Sequence, residues 1–129
     1  GSPRDGAGRA ARPWQLSCLE QLNAVKTLPR NWDSYGSPPL SDVAYQQACQ
    51  LIAAVAVDQL PAPHAGPESG GAVQIDWQLG GRALEVHFLA DGTATALQVE
   101  HDEVIAETEL PPSALETWQS LFDWLQASE

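Results

Sequence analysis

The chain of 129 residues has 17 Asp and Glu against 6 Lys and Arg, 43% hydrophobic residues, 5 Trp, 2 Cys and no Met. That length supports one hydrophobic core without a disulfide framework or structural metal, and the composition is too apolar for a disordered chain. A net charge of −11 argues against direct contact with nucleic-acid phosphates, which rests on clustered Lys and Arg, and no apolar run is long enough for a membrane span.

The charge is uneven. Residues 1–30 sum to +3, whereas residues 31–129 hold a single cation, Arg82, against fifteen carboxylates, a balance of −14. Gly1-Ser2 reads as a cloning scar and residues 1–12 as a flexible basic tail, which leaves residues 13–129 as a single domain.

From Trp14 the run WQLSCLEQLNAVKTL places Leu16, Leu19, Leu22 and Val25 at helical spacing and predicts a helix ended by Pro29. In the loop RNWDSYGSPP that follows, Trp32 and Tyr35 are expected to pack back onto the core. Asn31 and Asp33 are expected to close the loop, and Gly36 to supply a special backbone angle. Ser41 caps a second predicted helix running to Leu60, with Val43, Ala44, Ala48, Leu51, Ile52, Val55 and Ala56 as its apolar stripe. The segment PAPHAGPESGG, residues 61–71, reads as an extended linker. With Cys18 and Cys49 in separate helices, reduced thiols and a cytoplasmic setting are expected.

Residues 72–109 alternate with a period of two in four runs, AVQIDWQL, RALEVHFL, TATALQVE and EVIAETEL, separated by Gly80-Gly81, Asp91-Gly92 and His101-Asp102. Two-residue turns fix the register and make one face apolar, with rows Trp77/Leu84/Val99/Val104, Ile75/Val86/Leu97/Ala106 and Val73/Phe88/Thr95/Thr108. The other face is then polar and carries Asp76, Glu85, Glu100, Glu103 and Glu107 beside His87. A last helix, SALETWQSLFDWLQ, is expected to start in a Ser113/Glu116 capping box, with Trp124 off its apolar stripe. The prediction is an α+β two-layer sandwich, a four-stranded antiparallel meander with helices on one face, in the order ααββββα.

No phosphate loop, dinucleotide fingerprint, HExxH pair, CxxC pair or GxSxG elbow is present. No catalytic, metal or cofactor-binding residue is assigned. The one acid–base constellation is Asp76 opposite Glu85 with His87 two residues on, which reads either as a small metal-dependent or acid–base enzyme or as a solvated face whose repulsion Arg82 softens.

Leu28-Pro29-Arg30-Asn31-Trp32-Asp33-Ser34-Tyr35-Gly36, the Pro61-Ala62-Pro63 linker and Gly70-Gly71 leading to Trp77 together resemble an uncharacterised family of small bacterial proteins. That family has an LPxNWDxYG motif, a Pro-rich linker and a GGxxxxW hairpin. Its pattern ends in Glu-Trp where this chain has Asp76-Trp77, which keeps the carboxylate. The resemblance implies a regulatory or neutralising role and brings no catalytic residue. On the physical reading Asn31, Trp32, Asp33, Tyr35, Gly36 and Trp77 are scaffold. The expected function is a non-enzymatic, antitoxin- or inhibitor-like acidic protein that binds a basic protein partner through Asp76, Glu85, Glu100, Glu103 and Glu107. The alternatives are the enzyme above and an accessory subunit docking through an edge strand or the surface around Trp124.

Overall fold

The computed structural model describes residues 12–29, 36, 38–55, 57, 60–111 and 113–127. Residues of strand-like alternation form one antiparallel sheet of five strands: β1 (His64–Glu68), β2 (Ala72–Leu79), β3 (Arg82–Phe88), β4 (Ala94–Glu100) and β5 (Glu103–Leu110), neighbours in space as in sequence. The helices α1 (Pro13–Lys26), α2 (Asp42–Ala54) and α3 (Leu115–Gln126) bury their apolar stripes with Val73, Ile75, Trp77, Leu84, Val86 and Phe88, all from one sheet face. The fold is α+β, as the sequence predicts. None of its helices, among the described residues, is long and apolar enough to cross a membrane.

The first difference from the expected meander is the extra strand. The segment read as a linker pairs with β2, His64 opposite Asp76 and Glu68 opposite Ala72, so the order is ααβββββα. An edge strand is hydrogen-bonded on one side only, which is why Gly66 and Pro67 are tolerated there. Gln21 of α1 fastens the strand. Its Oε1 accepts from the Ala65 N–H at 2.7 Å, and its Nε2 donates to the Pro63 carbonyl at 2.8 Å.

The second difference is one of phase. The β2–β3 register is as predicted, with Val73, Ile75 and Trp77 opposite Phe88, Val86 and Leu84. Between β3 and β4, however, Phe88 faces Ala94, Val86 faces Ala96 and Leu84 faces Gln98. The connection is a three-residue loop, Ala90-Asp91-Gly92, closed by Leu89 N–H to Thr93 O at 2.9 Å. Gly92 takes a left-handed φ of +95°, the usual device of such loops, and Asp91 Oδ1 accepts from Thr93 N–H and Oγ1. These two bonds also hold the Asp91 carboxyl below its ordinary pKa. One extra loop residue inverts the strand that follows. Ala94 and Ala96 therefore lie in the core, and Leu97 and Val99, expected there, lie on the open face. A bulge at Ile105, between the pairs Gln98–Ala106 and Val99–Val104, reverses the phase again. Ala106 and Thr108 consequently face the helices as predicted.

Helix boundaries also shift, for identifiable reasons. Ser41 caps α2 as expected, accepting from Ala44 N–H at 3.0 Å. The helix ends at Ala54 and not near Leu60, because α1 supplies donors to its last carbonyls. Gln15 Nε2 donates to Ile52 O at 2.7 Å and Val55 O at 3.2 Å, and Trp14 Nε1 donates to Val57 O at 2.7 Å. This duty turns Trp14, Gln15, Cys18, Leu22 and Val25 inward and leaves Leu16 exposed. The expected Ser113/Glu116 capping box does not form. The N-cap is Ala114, without a side-chain cap, and Trp118 Nε1 instead fastens the approach by donating to Pro111 O at 2.9 Å.

The sheet and two of the helices meet in an aromatic cluster. Trp77 of β2 stands edge-on to Phe122 of α3, centroids 4.8 Å apart, and edge-on to Trp14 of α1 at 6.0 Å. Such pairs add about 0.5–1.5 kcal/mol each beyond the area they bury. Cys18 lies buried beside this cluster, and both cysteines are free thiols.

Two predictions follow from the packing. Burial first, then the nearby Cys49, push the Cys18 thiol from its ordinary 9.0 up to about 12. The folded state keeps a proton that the unfolded chain sheds, so this contribution is intact below pH 9 and is lost as pH rises towards 12. Its slope is at most about 1.4 kcal/mol per pH unit. Urea titrations between pH 8 and 11 should give a shallower alkaline fall for Cys18→Ala than for the wild type. Separately, a Cβ on Gly92 would lie 3.0 Å from Val43 Cγ1, whereas one on Gly70, also left-handed, meets nothing within 4 Å. Gly70→Ala should cost about 1 kcal/mol from backbone strain and Gly92→Ala measurably more, read as a difference in urea midpoint.

Candidate functional site

The sheet face away from the helices is built in cross-strand rows. One runs His64, Asp76, Glu85, Leu97, Glu107 from β1 to β5, and its neighbour Gly66, Gln74, His87, Thr95, Glu109. A third runs Gln78, Ala83, Val99, Val104 across β2 to β5.

Three of the five carboxylates selected from sequence, Asp76, Glu85 and Glu107, share this face. Glu100 and Glu103 do not. The inverted phase of β4 places them opposite one another in the row of Arg82, on the helix side. Arg82 is likewise not available to soften the Asp76–Glu85 repulsion. Its Nε lies 3.3 Å from Glu100 Oε2, its Nη1 donates to Trp124 O at 2.7 Å, and its guanidinium covers the Trp124 ring at 4.7 Å. Trp124 is accordingly half-buried.

In the β1–β3 half of the open face several polar side chains pair with one another, although His87 Nε2 is buried without a hydrogen-bond partner. Gln74 Nε2 donates to Asp76 Oδ1 at 2.7 Å. His87 reaches across β2, its Nδ1 2.9 Å from Glu68 Oε1 on β1 and its Nε2 3.5 Å from Glu85 Oε1, so one imidazole gathers two carboxylates. A hollow of about 140 Å³ beside His64, Gly66, Gln74 and Asp76 is the concavity of this half. Among the described residues no group of three His, Cys, Asp or Glu side chains is placed to hold a metal ion.

The β4–β5 half is different in kind. Leu97 and Val99 are half-buried, and Val104 and Ile105 on the edge strand are 60% and 50% exposed. Among the described residues no side-chain hydrogen bond or ion pair holds Glu103, Glu107 or Glu109. An apolar strip is thus bordered by unspent carboxylates. A cleft of about 460 Å³ lies between α2 and the C-terminal end of β5, lined by Gln47, Gln50, Thr93, Glu109, Leu110 and Ser113 among others. Gln47 Oε1 is buried there without a hydrogen-bond partner.

Leu97, Val99, Glu109 and Glu68 were not selected from sequence. The signal for the first two was the Asp91-Gly92-Thr93 triplet, an Asp that bonds two residues on followed by a left-handed Gly, which marks a three-residue loop. Of the motif residues, Gly36 has a φ of +85° and Trp77 is buried in the aromatic cluster. Asn31, Trp32, Asp33 and Tyr35 lie outside the described residues. His101 sits in its two-residue turn with a φ of +52°, its ring over Gly81.

Comparison with family models, curated proteins and solved structures returns no match. The functional reading therefore stands on the geometry.

Proposed function

We propose that the protein is a non-enzymatic interaction module that captures a basic protein partner through its open sheet face, in an antitoxin- or inhibitor-like manner. The observation that supports this most is the β4–β5 half of the face, where exposed Val104 and Ile105 adjoin Leu97, Val99 and the carboxylates of Glu107 and Glu109, which have no side-chain partner among the described residues. Mixed surfaces of this type, an apolar centre with a charged rim, are typical of protein interfaces. The −14 balance of residues 31–129 steers a cationic surface inward, and the apolar strip holds it once water is expelled. Carboxylates on Asp76, Glu85 and Glu107 would take the positions that an anionic substrate occupies on such a partner.

The acid–base alternative at Asp76, Glu85 and His87 has less support. His87 and Asp76 already have Glu68 and Gln74 as partners. The hollow beside them, about 140 Å³, is well under the roughly 300–1,000 Å³ of small-molecule sites. Of the two docking surfaces considered for an accessory subunit, the edge strand is open and the Trp124 surface is covered by Arg82.

Reversing charge on the face, Asp76→Lys with Glu85→Lys and Glu107→Lys, should weaken binding of a labelled lysine-rich peptide by about tenfold or more and flatten its salt dependence. The control is Glu20→Lys with Glu116→Lys and Asp123→Lys, an equal change of charge on exposed helix positions. Fluorescence anisotropy at low and moderate salt reads both. Equal losses in the two triples would mean that net charge alone matters and would remove the face from the assignment.

A further inference from the structure

The two edges of the sheet are unlike. β1 is five residues long, contains Gly66 and Pro67, and is fastened to α1 through Gln21. β5 has eight residues, no Pro, no Gly and no cation, and among the described residues nothing pairs with its outer side. Its side chains are exposed or half-exposed on both faces, including Val104 and Ile105. A long, uncovered edge with apolar side chains is a template for another strand.

Charge decides what kind of strand. Glu103, Glu107 and Glu109 lie on β5, and Glu100 and Asp102 lead into it. Pairing β5 with a second copy would bring two such sets of glutamates into one seam, where like charges destabilise cross-strand pairs. An extended segment with alternating cations meets the opposite situation.

Resting on the reading of a basic partner, we infer that β5 receives an extended cationic segment of that partner as a sixth strand. Main-chain hydrogen bonds supply the affinity and alternate side chains the selectivity. Cations on its open-face side lie beside Glu107 and Glu109, their aliphatic stems reach over Val104 and Ile105, and the alternate apolar side chains turn to the helix side.

The probes are three labelled peptides of about ten residues. One alternates Lys and Val, one is identical but N-methylated at alternate backbone amides, and one has the same composition in two blocks. Strand addition requires the alternating peptide to bind the full chain about tenfold tighter than either control, because N-methylation removes ladder donors without removing charge. Equal binding of all three peptides would overturn strand addition while leaving the acidic-face reading in place, whereas failure of every cationic peptide at low salt would overturn both. A dimer in sedimentation equilibrium that is abolished by Ile105→Lys would assign β5 to a second copy instead and overturn the proposal.

Discussion

A β-strand has two faces, and the number of residues in the turn that feeds it decides which side chains go to which. The open face of this protein depends on that parity at Ala90-Asp91-Gly92. Asp91 bonds to Thr93 and Gly92 takes a conformation that other residues resist, so the loop holds three residues and β4 enters inverted. Ala94 and Ala96 slide under the helices, and Leu97 and Val99 turn outward beside Glu85 and Glu107. The bulge at Ile105 then restores the original phase, which returns Ala106, Thr108 and Leu110 to the helix side. Two one-residue irregularities thus delimit the only stretch of the meander in which apolar and polar faces are exchanged.

The helix layer holds the sheet against this exposed half by concentrating its large side chains elsewhere. Trp14, Trp77, Trp118, Phe88 and Phe122 are all buried, on α1, on α3 and on the two strands β2 and β3. β4 contributes only Ala94 and Ala96 to the core on that side, followed by Gln98 and Glu100, so the apolar cover thins towards β5. Arg82 ends this covered region, joining β3 to α3 through Trp124 while neutralising Glu100. A graded sandwich of this kind leaves one edge unclad without costing the core its density.

Much of this was legible from residue patterns. The three helices, the α+β class, the β2–β3 register and the Ser41 cap all follow from periodicity and turn residues, because each depends on neighbours close in sequence. The β1 edge strand was not legible, since Gly66 and Pro67 carry loop chemistry and it is pairing with β2, together with the fastening by Gln21 over forty residues away, that makes the segment a strand. The β4 phase was not legible either. A two-residue Asp-Gly turn and a three-residue loop ending in Gly share the same letters, and the two-residue choice led to an apolar face that was self-consistent but wrong for β4 and the first residues of β5. For the candidate surface the result is mixed. Asp76, Glu85 and Glu107 lie where alternation puts them, whereas Glu100 and Glu103 moved with the inverted phase, and the apolar strip became visible only with it.

Gln15 shows a further property of this chain. Its amide, buried on α1, accepts from the Arg12 N–H and donates to two carbonyls at the end of α2. The stopping point of one helix is therefore encoded in another, some forty residues earlier. Until α1 has docked, nothing at the C-terminal carbonyls of α2 distinguishes Ala54 from the residues after it, and the helix is free to run on. The length of α2 is thus a tertiary quantity, settled by assembly and absent from the isolated segment.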